Sequence, residues 1–341
     1  MNGLSYRHHQ LPMSSYFPHL HPNWLSLHQE EVLEPALPII DAHHHLWETP
    51  EFTYARAQLE EDVGSGHAVR ATVFVECLSH YRADGREVLR PVGETEYVQK
   101  SCAGTPLCAG IVGWADLQLG DQVTPVLEAH IAAGQGRFRG LRSRPTWHAD
   151  PAIHAPGMGH AEVLLQPQVQ QAVRALGRLG LTLDLWVYHS QLGDVARLAA
   201  ACPGTTLVLN HCGGPLGVGP YAGQRQAVLD DWRAQMQALS RHQNIVVKLG
   251  GLAMPRCGFG WHEAAWPQGS EVLARAWAPY TEHCIAAFGV QRCMFESNFP
   301  MDKTGCSYVT LWNAFKRLAR GASASEKAAL FESTAARVYR L

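Results

Sequence analysis

The segment PIIDAHHHLW, residues 38–47, joins an apolar run to three consecutive histidines. Its pattern is typical of a β-strand, and side chains alternate between the two faces of a strand. Asp41, His43 and His45 are therefore expected on one face, and Ala42 and His44 on the other. Two imidazoles that share a face at the end of a strand suit a divalent metal or an oxyanion better than a packed core. The segment thus predicts a functional site at the end of a buried strand.

Seven further β-rich runs follow along the chain: VRATVFVEC (69–77), CAGIVGWADL (108–117), FRGLRS (138–143), LTLDLWVYH (181–189), TTLVLNHCGG (205–214), NIVVKLGG (244–251) and RCMFESNFP (292–300). Helical patterns are predicted over 56–63, 94–103, 124–133, 167–179, 192–201, 225–240, 270–288 and 307–318. Ser323 and Glu326 are spaced as a capping box for a final helix. Eight strands that alternate with helices predict an α/β protein with a closed (β/α)8 TIM barrel. An open doubly wound sheet usually shows a glycine-rich phosphate turn, and the sequence contains neither GxGxxG nor GxxxxGK[ST].

Length and composition fit one large domain. The chain has 341 residues, and α/β barrels routinely use about 250 residues or more as a single unit. Hydrophobic residues make up 46% and charged residues 17%, which is typical of a globular chain with a large core. Residues 38–341 are interpreted as the barrel. Residues 1–37 are rich in His, Pro and aromatic residues without a sustained period, and are interpreted as an N-terminal arm that lies on it.

Charge and cysteine content narrow the class of partner. The net charge is −2 with no block of like charges, so neither nucleic acid nor an anionic membrane is expected as a partner. A small-molecule substrate is expected instead, and assembly into a homo-oligomer is left open. Nine cysteines without a CxxC pair indicate reduced thiols. No segment resembles a signal peptide or a membrane span, so a cytoplasmic enzyme is expected.

Further histidines and aromatic residues lie near predicted strand ends. His211 ends the sixth strand before a Gly-Gly-Pro turn, and since Asn210 precedes it directly, only one of the two is expected to face inward. On the fifth strand, Tyr188 is favoured over His189 as the inward residue. Long connections over 145–165 and 253–269 follow the fourth and seventh strands. In a barrel these connections lie on the catalytic face, where they could line a cleft with Trp147, His148, His154, His160, Trp261, His262 and Trp266, or simply anchor surface loops.

Charged residues interrupt otherwise apolar strands. Arg142 lies on the fourth strand and Lys248 on the seventh. A buried cation needs an anionic partner, either within the protein or on a bound substrate. Each of the two could therefore hold a substrate or form a structural salt bridge. Glu76, on the second strand, is a candidate partner for one of them.

The strands together resemble a known family. The DxHxH pattern at residues 41–45, GLRS (140–143), VLNHCGGP (208–215) and VVKLGGLAMP (246–255) are similar to the amidohydrolase-related lactonases, which include fuconolactonase-like, sulfomuconolactonase-like and pyrone-dicarboxylate-lactonase-like enzymes. The resemblance runs from about residue 24 to the C-terminus. It implies a TIM-barrel hydrolase that opens a lactone or a related ester or amide. It also implies that His43, His45 and His211 are the family's histidines, and that Arg142 and Lys248 hold an anionic or carbonyl oxygen.

The eighth strand departs from the family pattern. Relatives usually carry an aspartate in a GSDWP-like segment, whereas this chain reads ESNFPMDK (296–303), with Asn298 at the aspartate position. An amide cannot act as a general base. Glu296 and Asp302 are the candidate replacements, and Glu296 is favoured because a strand fixes geometry better than a loop. Asn298 itself is placed among the substrate-binding candidates.

These residues support a specific chemical hypothesis. The histidines polarise a carbonyl, a carboxylate activates water and a cation stabilises the developing oxyanion. A mechanism that uses one divalent metal ion such as zinc and a mechanism without a metal are both left open. Two rival functions are a metal-dependent decarboxylase and a binding barrel without catalysis, the latter suggested only by Asn298. The full set of candidates is catalytic His43, His45, His211, Glu296 and Asp302; substrate-binding Arg142, Tyr188, Lys248, Asn298 and Trp147; and metal-binding His43, His45, His211 and Glu296.

Overall fold

A computed structural model of the chain describes residues 18–151, 153 and 159–341. Its main sheet has eight parallel strands whose neighbours follow the chain order. They are β1 (Pro38–His44), β2 (Ala68–Val75), β3 (Gly110–Gly113), β4 (Phe138–Ser143), β5 (Thr182–Leu185), β6 (Leu207–Leu209), β7 (Ile245–Leu249) and β8 (Cys293–Phe295). The predicted TIM barrel is confirmed.

A helix follows each strand of the barrel. These are α1 (Arg56–Val63), α2 (Val92–Ser101), α3 (Thr124–Gly134), α4 (Pro167–Arg178), α5 (Leu192–Ala201), α6 (Arg225–Leu239), α7 (Ser270–Phe288) and α8 (Tyr308–Leu318). A short helix (Pro22–Leu25) precedes β1, and a small hairpin (Trp47–Glu48 with Thr53–Tyr54) lies between β1 and α1. The chain ends in consecutive helical turns, Ala324–Ala328, Ala329–Ser333 and Thr334–Tyr339. The predicted capping box is confirmed, since the Ser323 side chain accepts from the Glu326 N–H while Glu326 accepts from the Ser323 N–H.

The barrel closes through residues that follow the last strand. The Asn298 N–H donates to the His43 carbonyl, and the His45 N–H donates to the Phe299 carbonyl, each at 2.8 Å. Residues 292–300 were predicted as one strand, but β8 ends at Phe295 and Asn298 has a φ of 53°. This left-handed conformation ends the regular strand. The hydrogen bonds that close the barrel are therefore made by the segment 296–303, which also carries the two candidate catalytic carboxyl groups.

The lower part of the barrel is filled by apolar side chains. Its interior cluster consists of Ile40, Ala42, Val73, Val75, Val112, Val208, Val246, Met294, Ala335, Val338 and Tyr339. The last three belong to the C-terminal segment, which lies against the N-terminal ends of the strands. Tyr339 reaches furthest, and its hydroxyl donates to Asp184 at 2.8 Å. The C-terminal segment thus forms the floor under the site.

The described part of the N-terminal region lies on α7 and α8. The Leu33 N–H donates to the Asn313 side chain at 2.8 Å, and Asn313 donates to Glu30 at 3.0 Å. Glu30 also accepts from the backbone N–H of Ser270, at the start of α7. Within the described ranges, no helix combines the length and the apolar character needed to cross a membrane. All nine cysteines are buried, and none of them forms a disulfide.

Candidate active site

A bulge in β1 sets the direction of its histidines. The pairing of β1 with β2 shifts register between Asp41 and His44. Asp41 consequently points away from the barrel interior and accepts from the Ser297 N–H at 2.8 Å and from the Tyr308 hydroxyl at 3.0 Å. Ala42 instead belongs to the interior cluster. The prediction that Asp41 shares a face with His43 and His45 is wrong, because a bulge inserts a residue and breaks the period of two.

Three buried imidazoles converge at the upper end of the barrel. The Nε2 atoms of His43 and His45 are 3.3 Å apart, and the ring centres of His43 and His211 are 4.7 Å apart. Burial lowers the pKa of His43 and His45 well below their ordinary range, and nearby cations, Lys248 for His43 and Arg142 for His45, lower it further. Both rings are therefore neutral near neutral pH, which is the form that binds metals or accepts a proton.

Hydrogen bonding orients these rings. The carbonyl oxygen of Val75 lies 2.8 Å from Nδ1 of His45, so this nitrogen carries the proton and Nε2 presents its lone pair. Glu296 accepts from the His211 N–H at 3.0 Å and lies 2.7 Å from Nδ1 of the same ring. Its other oxygen lies 2.9 Å from Nδ1 of His43. Glu296 is fully buried between two of the three imidazoles.

The donor set fits a divalent metal. His43, His211 and Glu296 each offer a ligand atom, and these atoms all lie within 4.8 Å of one another. His45 is adjacent through its contact with His43. Imidazole nitrogens and a carboxylate oxygen are ordinary zinc ligands. The four metal-binding candidates are thus neighbours in space although β1, β6 and β8 are far apart in sequence.

His211 reaches the site by an unusual backbone turn. Asn210 and His211 were expected to face in opposite directions, and this prediction is wrong. Asn210 donates to Asp184 inside the barrel at 3.1 Å, while the His211 ring meets Glu296. The reason is that β6 ends at Leu209 and His211 has a φ of 55°, so strand alternation no longer applies. A side chain at Gly251 would place its Cβ 2.5 Å from the Cβ of His211, so glycine is required there.

Both predicted clamp residues are ion-paired. Lys248 is fully buried, with its Nζ 2.8 Å from Asp184 and 3.3 Å from Nδ1 of His43. Arg142 donates through Nε to Glu76 at 2.8 Å. The prediction that Glu76 pairs with one of these cations is confirmed. These internal pairs satisfy the charges of Arg142 and Lys248 close to the histidines.

Asn298 and Asp302 form a second polar pair at the barrel mouth. The Asn298 side chain donates to Asp302 at 3.3 Å, and both residues are buried. Burial raises the pKa of Asp302 well above its ordinary range, and the negative charge of Glu296 adds to the effect. Asp302 is therefore a weaker acid than an exposed aspartate. The structure brings Glu296 against the histidines and leaves Asp302 hydrogen-bonded to Asn298.

Tyr188 and Trp147 are the remaining substrate-binding candidates. Tyr188 is buried against Ile153 and Leu216. Trp147 is half-buried, and its backbone N–H donates to the Gln191 side chain at 3.0 Å. In the part of the chain that the structure describes, no ring contact joins Trp147 to the histidine cluster.

Other loop residues predicted to line a cleft mostly pack within their own loops. Trp261 stacks on Phe259 at 4.5 Å, and Trp266 is 68% exposed. His148 lies 3.0 Å from the Tyr221 hydroxyl, His160 contacts its neighbouring carbonyl, and His262 lies 3.5 Å from Glu263. His154 lies outside the described residues.

Two residues near the histidines were missed from the sequence. The half-buried Trp186 lies with its ring centre 5.7 Å from that of His211. The guanidinium of Arg256 lies 5.1 Å from the Trp186 ring and 5.6 Å from the Tyr188 ring. Trp186 lies two residues after Asp184, so strand alternation puts the two side chains on one face, and this was a usable signal. Arg256 belongs to the long connection after β7, whose sequence alone does not indicate which of its side chains returns towards the histidines.

Comparison with known proteins identifies the family. The sequence profile described as Amidohydrolase matches residues 40–341. The chain belongs to the amidohydrolase family. An uncharacterized protein, y4mH, of Sinorhizobium fredii is 33% identical over 320 residues, which cover 89% of this chain and 98% of the relative. The L-fucono-1,5-lactonase of Burkholderia multivorans is 28% identical over 316 residues, which cover 89% and 96%.

Solved structures agree with this assignment. The crystal structure of an amidohydrolase from Burkholderia multivorans with bound zinc has a TM-score of 0.68 and 26% sequence identity to this amidohydrolase, and the match covers 89% of this chain and 99% of that one. The family predicted from the sequence is confirmed, and the protein is a hydrolase of the amidohydrolase superfamily.

Proposed function

We propose that this amidohydrolase opens a small-molecule lactone or a related cyclic ester or amide. The observation that carries the proposal is the convergence of His43, His45 and His211 around Glu296 at the mouth of the barrel. Neutral imidazoles and a buried carboxylate are the groups that hydrolysis of an activated carbonyl requires. The lactonase activity of the Burkholderia multivorans relative supports the choice of substrate class.

Each residue receives a role from its contacts. The Nε2 atoms of His43 and His45 are free of backbone partners and face each other, so they can bind the substrate carbonyl region. Glu296 fixes the rings of His43 and His211 and is the proposed proton acceptor. Lys248 contacts His43 from below and sustains its orientation and neutral state. The proposed substrate-binding residues are Arg142, Tyr188, Asn298 and Trp147. Asp302 is the alternative to Glu296 as the catalytic carboxyl group.

The same residues would hold a divalent metal, with zinc favoured. His43, His211 and Glu296 would be the ligands, and His45 is close enough to join them. When bound, such an ion supplies a Lewis acid that polarises the carbonyl and lowers the pKa of water. Buried, neutral imidazoles with lone pairs directed at one another are a costly arrangement unless a ligand or a proton occupies the space between them.

The first experiment measures reaction type and metal together. Purified protein is assayed against a panel of lactones by acid release and against small aromatic acids by CO2 release. We expect acid release, loss of turnover after exhaustive chelation, and recovery on adding zinc. The variant His211→Ala should lose both turnover and bound metal by elemental analysis, whereas His262→Ala, a loop histidine, should lose neither. CO2 release would indicate the decarboxylase instead, and full activity in metal-free protein would leave the histidines to polarise the carbonyl alone.

A cytoplasmic location is also proposed. Nine buried cysteines without a disulfide fit a reducing compartment. Cell fractionation that placed the protein in an oxidising compartment would contradict this.

A further inference from the structure

Arg256 is a cation at the mouth of the barrel that the catalytic proposal does not use. It lies on the 3-10 turn Pro255–Cys257, on the connection that leaves β7 beside the histidines. Its guanidinium lies over the rings of Trp186 and Tyr188, and one of its N–H groups donates to the Tyr188 hydroxyl at 2.7 Å. Trp186 in turn contacts His211. A single indole ring therefore connects this cation to the histidine cluster.

The guanidinium has no carboxylate partner. No acidic side chain among residues 18–151, 153 and 159–341 forms an ion pair with Arg256, and the remaining residues of the chain include no Asp or Glu. This separates Arg256 from Arg142 and Lys248, whose charges are met by Glu76 and Asp184. A half-buried guanidinium that is held between aromatic rings keeps most of its donors available in a fixed orientation.

A second donor beside it also lacks an acceptor. The indole Nε1 of Trp186 is buried, and in the described part of the chain it has no hydrogen-bond partner. Buried polar atoms almost always have a partner, and an exception at a site calls for a ligand or a water that supplies one. The indole N–H without an acceptor lies beside a guanidinium that donates to the Tyr188 hydroxyl and has further N–H groups left, and both are close to His211. Together they favour a ligand group that only accepts hydrogen bonds. A carboxylate has that property and also carries the charge that a guanidinium prefers.

We propose that Arg256 and Trp186 form a carboxylate-binding subsite and that the substrate is a lactone that carries an acid group. The inference rests on the proposed function for its carbonyl end, which the histidines hold. The distance between the acid group and the reacting carbonyl of the substrate is then about the width of the Trp186 ring. This substrate class differs from that of a neutral sugar lactone, and Arg256 is a specificity-determining residue.

The test compares two lactones that differ only in the acid group: δ-valerolactone and its derivative with a carboxylate beside the ring oxygen. We expect the wild-type protein to prefer the acid. In Arg256→Met the ratio of kcat/KM between the acid and the neutral lactone should fall by roughly tenfold to hundredfold, mainly through KM, which is the scale of a lost charge-assisted hydrogen bond. Arg256→Lys should recover part of the ratio, and Trp186→Phe, which keeps a ring but loses the N–H, should lower it less. Arg275→Met removes an identical charge from an exposed position on α7 and serves as the control.

A binding measurement keeps the inference testable without turnover. Calorimetry with the open-chain hydroxyadipate, the product of the acidic lactone, should show binding to wild type that weakens at least tenfold in Arg256→Met and at high salt. Equal binding to both proteins, or an unchanged ratio of kcat/KM, would overturn the subsite. If wild type opens neither lactone but binds hydroxyadipate through Arg256, the proposed function fails while the subsite stands. If the wild-type protein opens neutral lactones but does not bind hydroxyadipate, the proposed function is supported and the carboxylate-binding subsite is contradicted.

Discussion

Two buried carboxyl groups, Glu296 and Asp302, compete for the role of proton acceptor. Glu296 contacts the rings of His43 and His211, whereas Asp302 accepts from Asn298, and burial raises the pKa of Asp302 above its ordinary range. A proton acceptor has to lie within hydrogen-bond reach of the groups with which it exchanges the proton, and Glu296 lies within that reach of two imidazoles. At the scale of single residues, the contacts therefore favour Glu296.

This difference gives a ranking for two isosteric substitutions. Glu296→Gln should lower kcat by about a hundredfold or more, the scale of general-base loss, and Asp302→Asn should lower it by less than about tenfold. Rates are measured at saturating substrate across pH, with circular dichroism as the check on folding. If Asp302→Asn proved the more damaging of the two, the role of proton acceptor would move to Asp302.

The elements of the barrel are joined by a polar layer that lies between the histidines and the apolar floor. Asp184 on β5 receives Lys248 from β7, Asn210 from the end of β6 and Tyr339 from the C-terminal segment. A buried carboxylate is stabilised by hydrogen-bond donors, and these three side chains supply them from three different parts of the barrel. The C-terminal segment is thus part of the support of the active site.

The Tyr339 hydroxyl provides a test at this scale. Tyr339→Phe removes one donor from a buried charge and should lower the free energy of unfolding by about 2 kcal/mol. Urea denaturation followed by circular dichroism measures it. Tyr97→Phe is the matched control, because the Tyr97 hydroxyl donates to Glu48 at an exposed position and its loss should cost less than about 0.5 kcal/mol. Equal costs for the two variants would mean that the floor does not depend on this hydrogen bond.

Across the whole molecule, the segment before β1 is fastened to the last part of the barrel by Glu30. Burial alone would raise the pKa of Glu30, but hydrogen bonds from Ser270, His28 and Asn313 outweigh it and lower the pKa below its ordinary value of 4.5. A carboxyl group with a depressed pKa in the folded state stabilises the fold above its unfolded pKa, and this stabilisation is lost as pH falls through the folded value.

Glu30→Gln should therefore lower the free energy of unfolding by about 1 kcal/mol at neutral pH. The difference from wild type should shrink as the pH falls below the ordinary pKa of 4.5 and through the lowered pKa of the folded state. Denaturation curves at several pH values measure this, and Glu271→Gln, an exposed residue in the first turn of α7, is the control. A difference that stays constant down to low pH would show that the Glu30 charge does not hold the segment.

The sequence by itself determined the architecture and the family. Alternation of eight β-rich runs with helical patterns is a repeated local signal, and each βα unit carries it independently, so errors at single boundaries do not change the count. Of the histidines that converge, His43 and His45 were named from their places on one face of a strand, and His211 was chosen over Asn210 from the family resemblance. The short motifs around them were enough for the resemblance that the family profile bears out.

Only the tertiary structure decided how the side chains at the strand ends point and which charges are already paired. Period-two alternation holds inside a strand, but the bulge after Asp41 and the left-handed turns at His211 and Asn298 lie where strands end, and long-range closure of the barrel sets their geometry. A cation is recognised as paired or free only when its neighbours in space are known. For Lys248 and Arg142 the sequence left a substrate clamp and a salt bridge both open, and the structure shows each of them paired. Among the described residues, Arg256 on a loop has no carboxylate partner, because ion pairing depends on distance and not on the order of residues along the chain.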